Sequence, residues 1–93
     1  MPFVTLRYWA AAKDAAGVAE EKVDAPNLAA ALEAGLEAVA AGTPASERAE
    51  RLRLVLDGSS FLVDGEPVGK RPHDSVMLAD DAVVEVLPPF AGG

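Results

Sequence analysis

Phe3-Val4-Thr5-Leu6-Arg7-Tyr8-Trp9 decides the fold class. Val4, Leu6 and Tyr8 fall on one side of an extended chain and Thr5 and Arg7 on the other, the period of a strand with one buried face. Ala10 to Ala16 follows, rich in alanine with Lys13 and Asp14 outward. Gly17 stands where a short helix would close on a left-handed cap. Val18 to Ala25 holds a second, weaker alternating run around Glu21-Lys22-Val23, close enough to return as the hairpin partner of the first strand.

Further along, Asn27 is placed to cap a helix whose Leu28, Leu32, Leu36 and Val39 form one apolar stripe, with Glu33 and Glu37 opposite. Gly42-Thr43-Pro44 stops it, which predicts the principal helix over Asn27 to Ala41. Ala45 to Arg53 is charged and permits a second helix, but it offers a single large apolar residue, Leu52, and a ragged connection is the alternative. Leu54 to Leu56 and Ser60 to Val63 read as short β-prone pieces. Asp64-Gly65 is a hairpin turn with Glu66-Pro67-Val68 returning beyond it. Gly69 to Asp74 is loop-like. Val83 to Leu87 is a last strand, with Val84 and Val86 on one face and Glu85 and Leu87 on the other, ending at Pro88-Pro89. The order predicts an α+β roll with one principal helix packed across a mixed sheet.

Ninety-three residues support one core, so a single domain over 1–93 is expected. At 51% hydrophobic and 25% charged, the chain is too apolar for the disordered class. It has no cysteine, which removes disulfides, thiolate zinc sites and cysteine nucleophiles together. No signal peptide or membrane span is legible, so the cytoplasm is the expected compartment, with no membrane partner. The formal charge of -7 opposes phosphate backbones, so no nucleic acid is expected, and it favours electropositive proteins as partners.

Catalytic patterns are scarce. His73, the one histidine, sits beside Pro72 and Asp74 in a polar loop and is expected to be solvated. Gly65 to Lys70 approaches a phosphate-loop spacing, but the interval is too short, and Arg71 stands where a magnesium-binding Ser or Thr belongs. Asp80-Asp81 lacks the interleaving of a calcium loop and reads as a turn; no metal site is expected.

The informative segment is Leu87-Pro88-Pro89-Phe90-Ala91-Gly92-Gly93. Two glycines ending a chain arise by chance in roughly 0.5% of sequences. Pro88 and Pro89 fix φ and hold the chain extended, while Gly92 and Gly93, lacking Cβ, can enter a channel too narrow for side chains. Four residues past the prolines reach about 13 Å, so a tail over 88–93, expected to be mobile, can place the Gly93 carboxylate inside another protein. Trp9 continues the Thr5 and Arg7 side and Leu87 the Glu85 side, so both are expected on the face away from the helix. There Trp9 either forms a docking patch or folds under the edge of the core. Pro67 borders the patch, and Phe90, beyond the prolines, is expected to dock into a partner.

The opening Thr5-Leu6-Arg7-Tyr8-Trp9-Ala10-Ala11, Gly17, the turn Val63-Asp64-Gly65-Glu66 and the ending Pro88-Pro89-Phe90-Ala91-Gly92-Gly93 together resemble the MoaD/ThiS family of ubiquitin-like sulfur carriers. The Pro-Pro-x-x-Gly-Gly ending resembles the members that act as small subunits of molybdopterin synthase more than the shorter thiamine carriers. Two departures stand out: Ala79-Asp80-Asp81 replaces a Gly-Asp turn common in the family, and the stretch between Gly42 and Arg53 is longer than usual.

The resemblance implies a β-grasp fold and a non-catalytic subunit of a sulfurtransferase with no bound cofactor. It implies a MoeB/ThiF-like activating enzyme that uses ATP to adenylate Gly93, followed by conversion to a thiocarboxylate. It also implies a large, MoaE-like synthase subunit that draws the sulfur into a pterin. The same activated carboxylate would serve thiamine or cysteine synthesis, or modify proteins.

Overall fold

Alternation in the first strand is realised as a sheet with one wet and one dry face. In a computed structural model, which describes residues 2–41 and 45–89, β1 (Phe3–Tyr8) buries Val4, Leu6 and Tyr8. Helix α1 (Ala10–Ala16) follows and closes on Gly17 at φ 79°, the left-handed position foreseen for it. Strand β2 (Glu20–Asp24) returns antiparallel to β1, pairing Arg7 with Glu20 and Phe3 with Asp24.

Helix α2 (Leu28–Ala40) starts at Asn27, whose side chain accepts from the Ala30 amide at 2.8 Å. The stripe Leu28, Leu32, Leu36 and Val39 is buried as the spacing requires. Gly35 lies on the same buried side, and a Cβ there would come within 2.6 Å of both the Leu6 Cδ1 and the Tyr8 hydroxyl. Its lack of a side chain is what lets α2 approach β1. The expected stop at Gly42-Thr43-Pro44 lies outside the described residues.

The structure corrects the reading of the next segment. Leu54 to Leu56 is not a strand; it belongs to α3 (Ala45–Asp57), a helix as long as α2. Ending the candidate segment at Arg53 hid the partner of Leu52. Leu52 and Leu56, one turn apart, are both buried, whereas Leu54 points outward at 74% exposure, a division that helical geometry makes and strand alternation does not. Arg48 on α3 donates to the Asp14 and Ala15 carbonyls, so it holds α3 against the end of α1.

Strand β3 (Ser60–Val63) turns at Asp64-Gly65, both with positive φ (50° and 85°), into the short β4 (Glu66–Pro67). That is the hairpin turn the sequence announced. A single 3₁₀ turn at His73–Ser75 interrupts the connection to β5 (Val83–Leu87). The sheet order is β2-β1-β5-β3-β4, with β1 and β5 parallel and the other pairs antiparallel. The core lies between the helices and the inner face, where Val4, Leu6, Tyr8, Phe61, Val84 and Val86 are buried. The outcome is the expected α+β roll, a β-grasp, with α3 and α1 beside α2 over the mixed sheet.

Candidate functional site

Register, more than any pocket, assembles the candidate site. Side chains of β1 and β5 with the parity of Thr5 and Glu85 point away from the helices, and the pairings set them in rows across the sheet. One row runs Glu20, Arg7, Glu85, Leu62, Pro67, from one sheet edge to the other. Leu87 faces Ser60 one step closer to the tail. Among the described residues, no helix covers this outer face.

Trp9 ends β1 and enters α1. It is 46% exposed, and its indole N–H donates to the Glu85 Oε1 at 3.2 Å. The ring therefore lies on the outer face and not under the edge of the core. Arg7, beside Glu85, directs its Nε to Glu20 at 3.0 Å. Leu87 is half-buried and Pro67 exposed on the edge strand, so Trp9, Leu87 and Pro67 share the outer face around Glu85.

Strand β5 is central in the sheet, and the chain leaves it at the Trp9 end. Pro88 is half-buried, and Pro89 passes close to Gly58, where an added Cβ would meet its ring at 3.8 Å. Of the two prolines, Pro88 is thus partly covered by the domain while Pro89 is exposed beside Gly58. Phe90, Ala91, Gly92 and Gly93, on which the tail expectations rest, lie outside the described residues.

Other candidates fall elsewhere. His73 is half-buried with its ring edge-on to Phe61, centroids 5.0 Å apart. Sequence proximity to acids hid that packing role. Arg71 donates to the Pro67 and Val68 carbonyls, which pins the loop after β4 instead of opening it to a phosphate. Among the described residues no group of three His, Asp or Glu side chains gathers as metal ligands. No helix there is long and apolar enough to cross a membrane.

On the inner face, the Tyr8 hydroxyl donates to the Glu21 Oε1 at 3.2 Å. Burial raises the Tyr8 pKa well above the ordinary phenol range, and the adjacent Glu21 charge and their hydrogen bond raise it further. Burial also raises the Glu21 carboxyl, an effect opposed by the bond it accepts from Tyr8. The pair joins β1 to β2 under α2 and faces away from the candidate site.

Two features escaped the sequence reading. The Trp9 to Glu85 bond spans 76 positions and has no local signal. Phe3, 59% exposed at the far end of the outer face, was legible from the parity it shares with Thr5 and Arg7.

With this geometry in place, comparison with known proteins identifies the lineage. The family model described as the ThiS family matches residues 6–93. No curated protein sequence matches the chain. Among solved structures, small archaeal modifier protein 1 from Methanosarcina acetivorans is similar in fold, with a TM-score of 0.72 at 18% identity, covering 100% of this chain and 98% of that one. Small archaeal modifier protein 1 from Haloferax volcanii gives 0.66 at 20% identity, over 98% and 99% of the two chains. The complex of subunits 1 and 2 of molybdopterin-converting factor from Helicobacter pylori contains a chain matched at 0.64 and 21% identity, over 98% and 99%. At such identities the structural likeness carries the fold; the family rests on the match over nearly the whole chain. The chain belongs to the ThiS family, and it has a β-grasp scaffold.

Proposed function

We propose that the protein carries sulfur as a thiocarboxylate on Gly93 and donates it as the small subunit of a molybdopterin synthase. The observation that carries this reading is the family match through residue 93, which includes Pro88-Pro89-Phe90-Ala91-Gly92-Gly93. The exit of the chain from β5 beside the uncovered face of Trp9, Leu87 and Pro67 supports it: a partner gripping that face meets the tail at the same end of the domain.

The chemistry follows from the poor reactivity of a carboxylate. A Gly93 carboxylate oxygen attacks the α-phosphorus of ATP on an activating enzyme, pyrophosphate leaves, and an acyl-adenylate forms. Hydrosulfide then attacks the carbonyl carbon and expels AMP, which leaves the thiocarboxylate. The carried sulfur sits on the terminal carbonyl carbon, so a chain with no cysteine can bear it. In this scheme ATP belongs to the activating partner, and a large synthase subunit draws the tail into its own site. The Helicobacter pylori neighbour is itself a complex of two subunits, in keeping with such a pairing.

Similarity in fold to small archaeal modifier protein 1 favours a second reading, in which a lysine amine of a target protein attacks the same adenylate and Gly93 ends in an isopeptide bond. Service to thiamine or cysteine synthesis uses the same charged tail. Mass spectrometry after incubation with the cognate activating enzyme, ATP and sulfide tests the carrier reading. A mass gain matching replacement of one oxygen by sulfur on the peptide ending in Gly93 is expected, and an unchanged terminus refutes it. Peptides ending in Gly93 found joined to cellular lysines through isopeptide bonds would instead select modification.

A further inference from the structure

A hollow of about 420 Å³ opens on the helix side of the sheet, between α2, α3 and β3. Leu32 and Leu36 of α2, Leu56 of α3 and Phe61 of β3 give it apolar walls. Leu6, Leu28 and Leu52 are wholly buried in the core, whereas these four keep between 5% and 9% of their surface exposed. The helices thus leave a gap over β3 that the side chains of the described residues do not fill.

The base of the tail stands at its rim. Asp57 and Ser59 both line the hollow, and Gly58 between them is the residue against which Pro89 passes, within 3.8 Å of an added Cβ. The next residue is Phe90, one Cα step of about 3.8 Å further on. Its ring starts beside a gap with apolar walls, and its neighbours Ala91, Gly92 and Gly93 bring no bulk that would hinder entry. The rim selects the ring over the terminal carboxylate. The Gly58 amide and the Ser59 hydroxyl both donate to the Val55 carbonyl, and the Ser59 amide donates to that of Leu56, so these donors are already engaged. Glu33 and Asp57 outnumber Arg53, which already pairs with Glu33 at 3.3 Å.

We infer that this hollow is a binding site for the chain's own Phe90, whose ring occupies it whenever no partner holds the tail. The seat lies on the helix side of the sheet, opposite the outer face of Trp9, Leu87 and Pro67, with Pro88 and Pro89 between the two. A tail seated there is turned away from the outer face, and a partner that takes the tail must first draw the ring out. Burying one aromatic ring gains about as much free energy as fixing one or two residues costs, so the seated and free states are both populated. A shallow seat of this kind covers an apolar ring in the free protein without holding it against a partner. The consequence for charging of Gly93 rests on the carrier reading; the contact itself does not.

The test is made on the full chain alone, by methyl and aromatic NMR. Phe90 ring protons are expected to show Overhauser contacts to the methyl groups of Leu32, Leu36 and Leu56, and Phe90→Ala, which alters no residue of the core, should shift those methyl signals. Ala29→Phe places a ring of the domain's own in the hollow, since Ala29 lines it and is half-buried, and should abolish the contacts to Phe90. Chymotrypsin cleavage after Phe90 gives a second readout: it tracks the free fraction, so with about half the rings seated it should run about twofold faster in Ala29→Phe than in the native chain. Circular dichroism confirms the fold of each variant. Leucine methyl signals that are identical in the native chain and Phe90→Ala, with no contacts to the Phe90 ring, overturn the inference and leave the carrier reading standing. Contacts that fade on dilution, together with a dimer in sedimentation, assign the ring to the tail of a second copy and overturn it as well. If the contacts are found while Gly93 refuses sulfur in the mass-spectrometric test, the seat stands and the carrier reading falls.

Discussion

The Trp9 indole donates to the Glu85 carboxylate at 3.2 Å, and this bond holds the ring on the outer face of the sheet beside the start of the tail. Glu85 thus serves as a strut for an exposed aromatic side chain, in a row whose other charges, Arg7 and Glu20, satisfy each other. If that ring is the anchor of a docking site, Trp9→Ala is expected to weaken binding of the activating enzyme by about 2 kcal/mol, the usual scale for an aromatic anchor. Thermal stability should move little, since the ring is 46% exposed. Calorimetric titration beside a thermal melt measures both. Glu85→Gln retains an acceptor and should lie between Trp9→Ala and the native chain.

Gly35→Ala tests how closely α2 lies on β1. A Cβ at this position comes within 2.6 Å of the Leu6 Cδ1 and the Tyr8 hydroxyl, and both side chains are buried. Overpacking of this kind costs about 1–3 kcal/mol, more than the roughly 1 kcal/mol that alanine gains over glycine in a helix. Urea denaturation should therefore show a net loss.

Leu56→Ala and Leu54→Ala separate helix from strand across this segment. In α3 Leu56 is buried and Leu54 is 74% exposed. Truncating Leu56 should cost about 2–5 kcal/mol and truncating Leu54 no more than about 0.5 kcal/mol. Comparable losses at both would restore the strand, where the two share a face.

Tyr8 is the one tyrosine, so its ionisation is read directly by phenolate absorbance. In the folded chain its pKa is raised by burial and by Glu21, whereas the unfolded chain ionises near about pH 10. A group whose pKa is higher when folded contributes stability that is complete below the unfolded value and lost as pH rises above it. Stability should consequently fall above about pH 10, with phenolate appearing together with unfolding. Tyr8→Phe should lack that component of the alkaline loss.

Much of the architecture was legible because it is local. Alternation placed β1 and β5, Asn27 and a four-residue stripe placed α2, and Asp64-Gly65 placed the hairpin, each through contacts within a few residues. The error at Leu54–Leu56 arose where locality fails. Two leucines spaced by two fit a strand as well as a helix, and only the burial of Leu52 and Leu56 against the other helices chooses.

The sequence by itself determined the strands of the central sheet, the cap and stripe of α2, and the Pro-Pro-x-x-Gly-Gly ending, since backbone preference and side-chain period act over short distances. Tertiary structure alone decided that α3 exists at full length, that Gly35 gives way to Tyr8, and that Trp9, Glu85 and Pro67 meet on one face. Those relations depend on register between strands far apart in the chain and on which surfaces exclude water together, quantities that exist only once the sheet has formed.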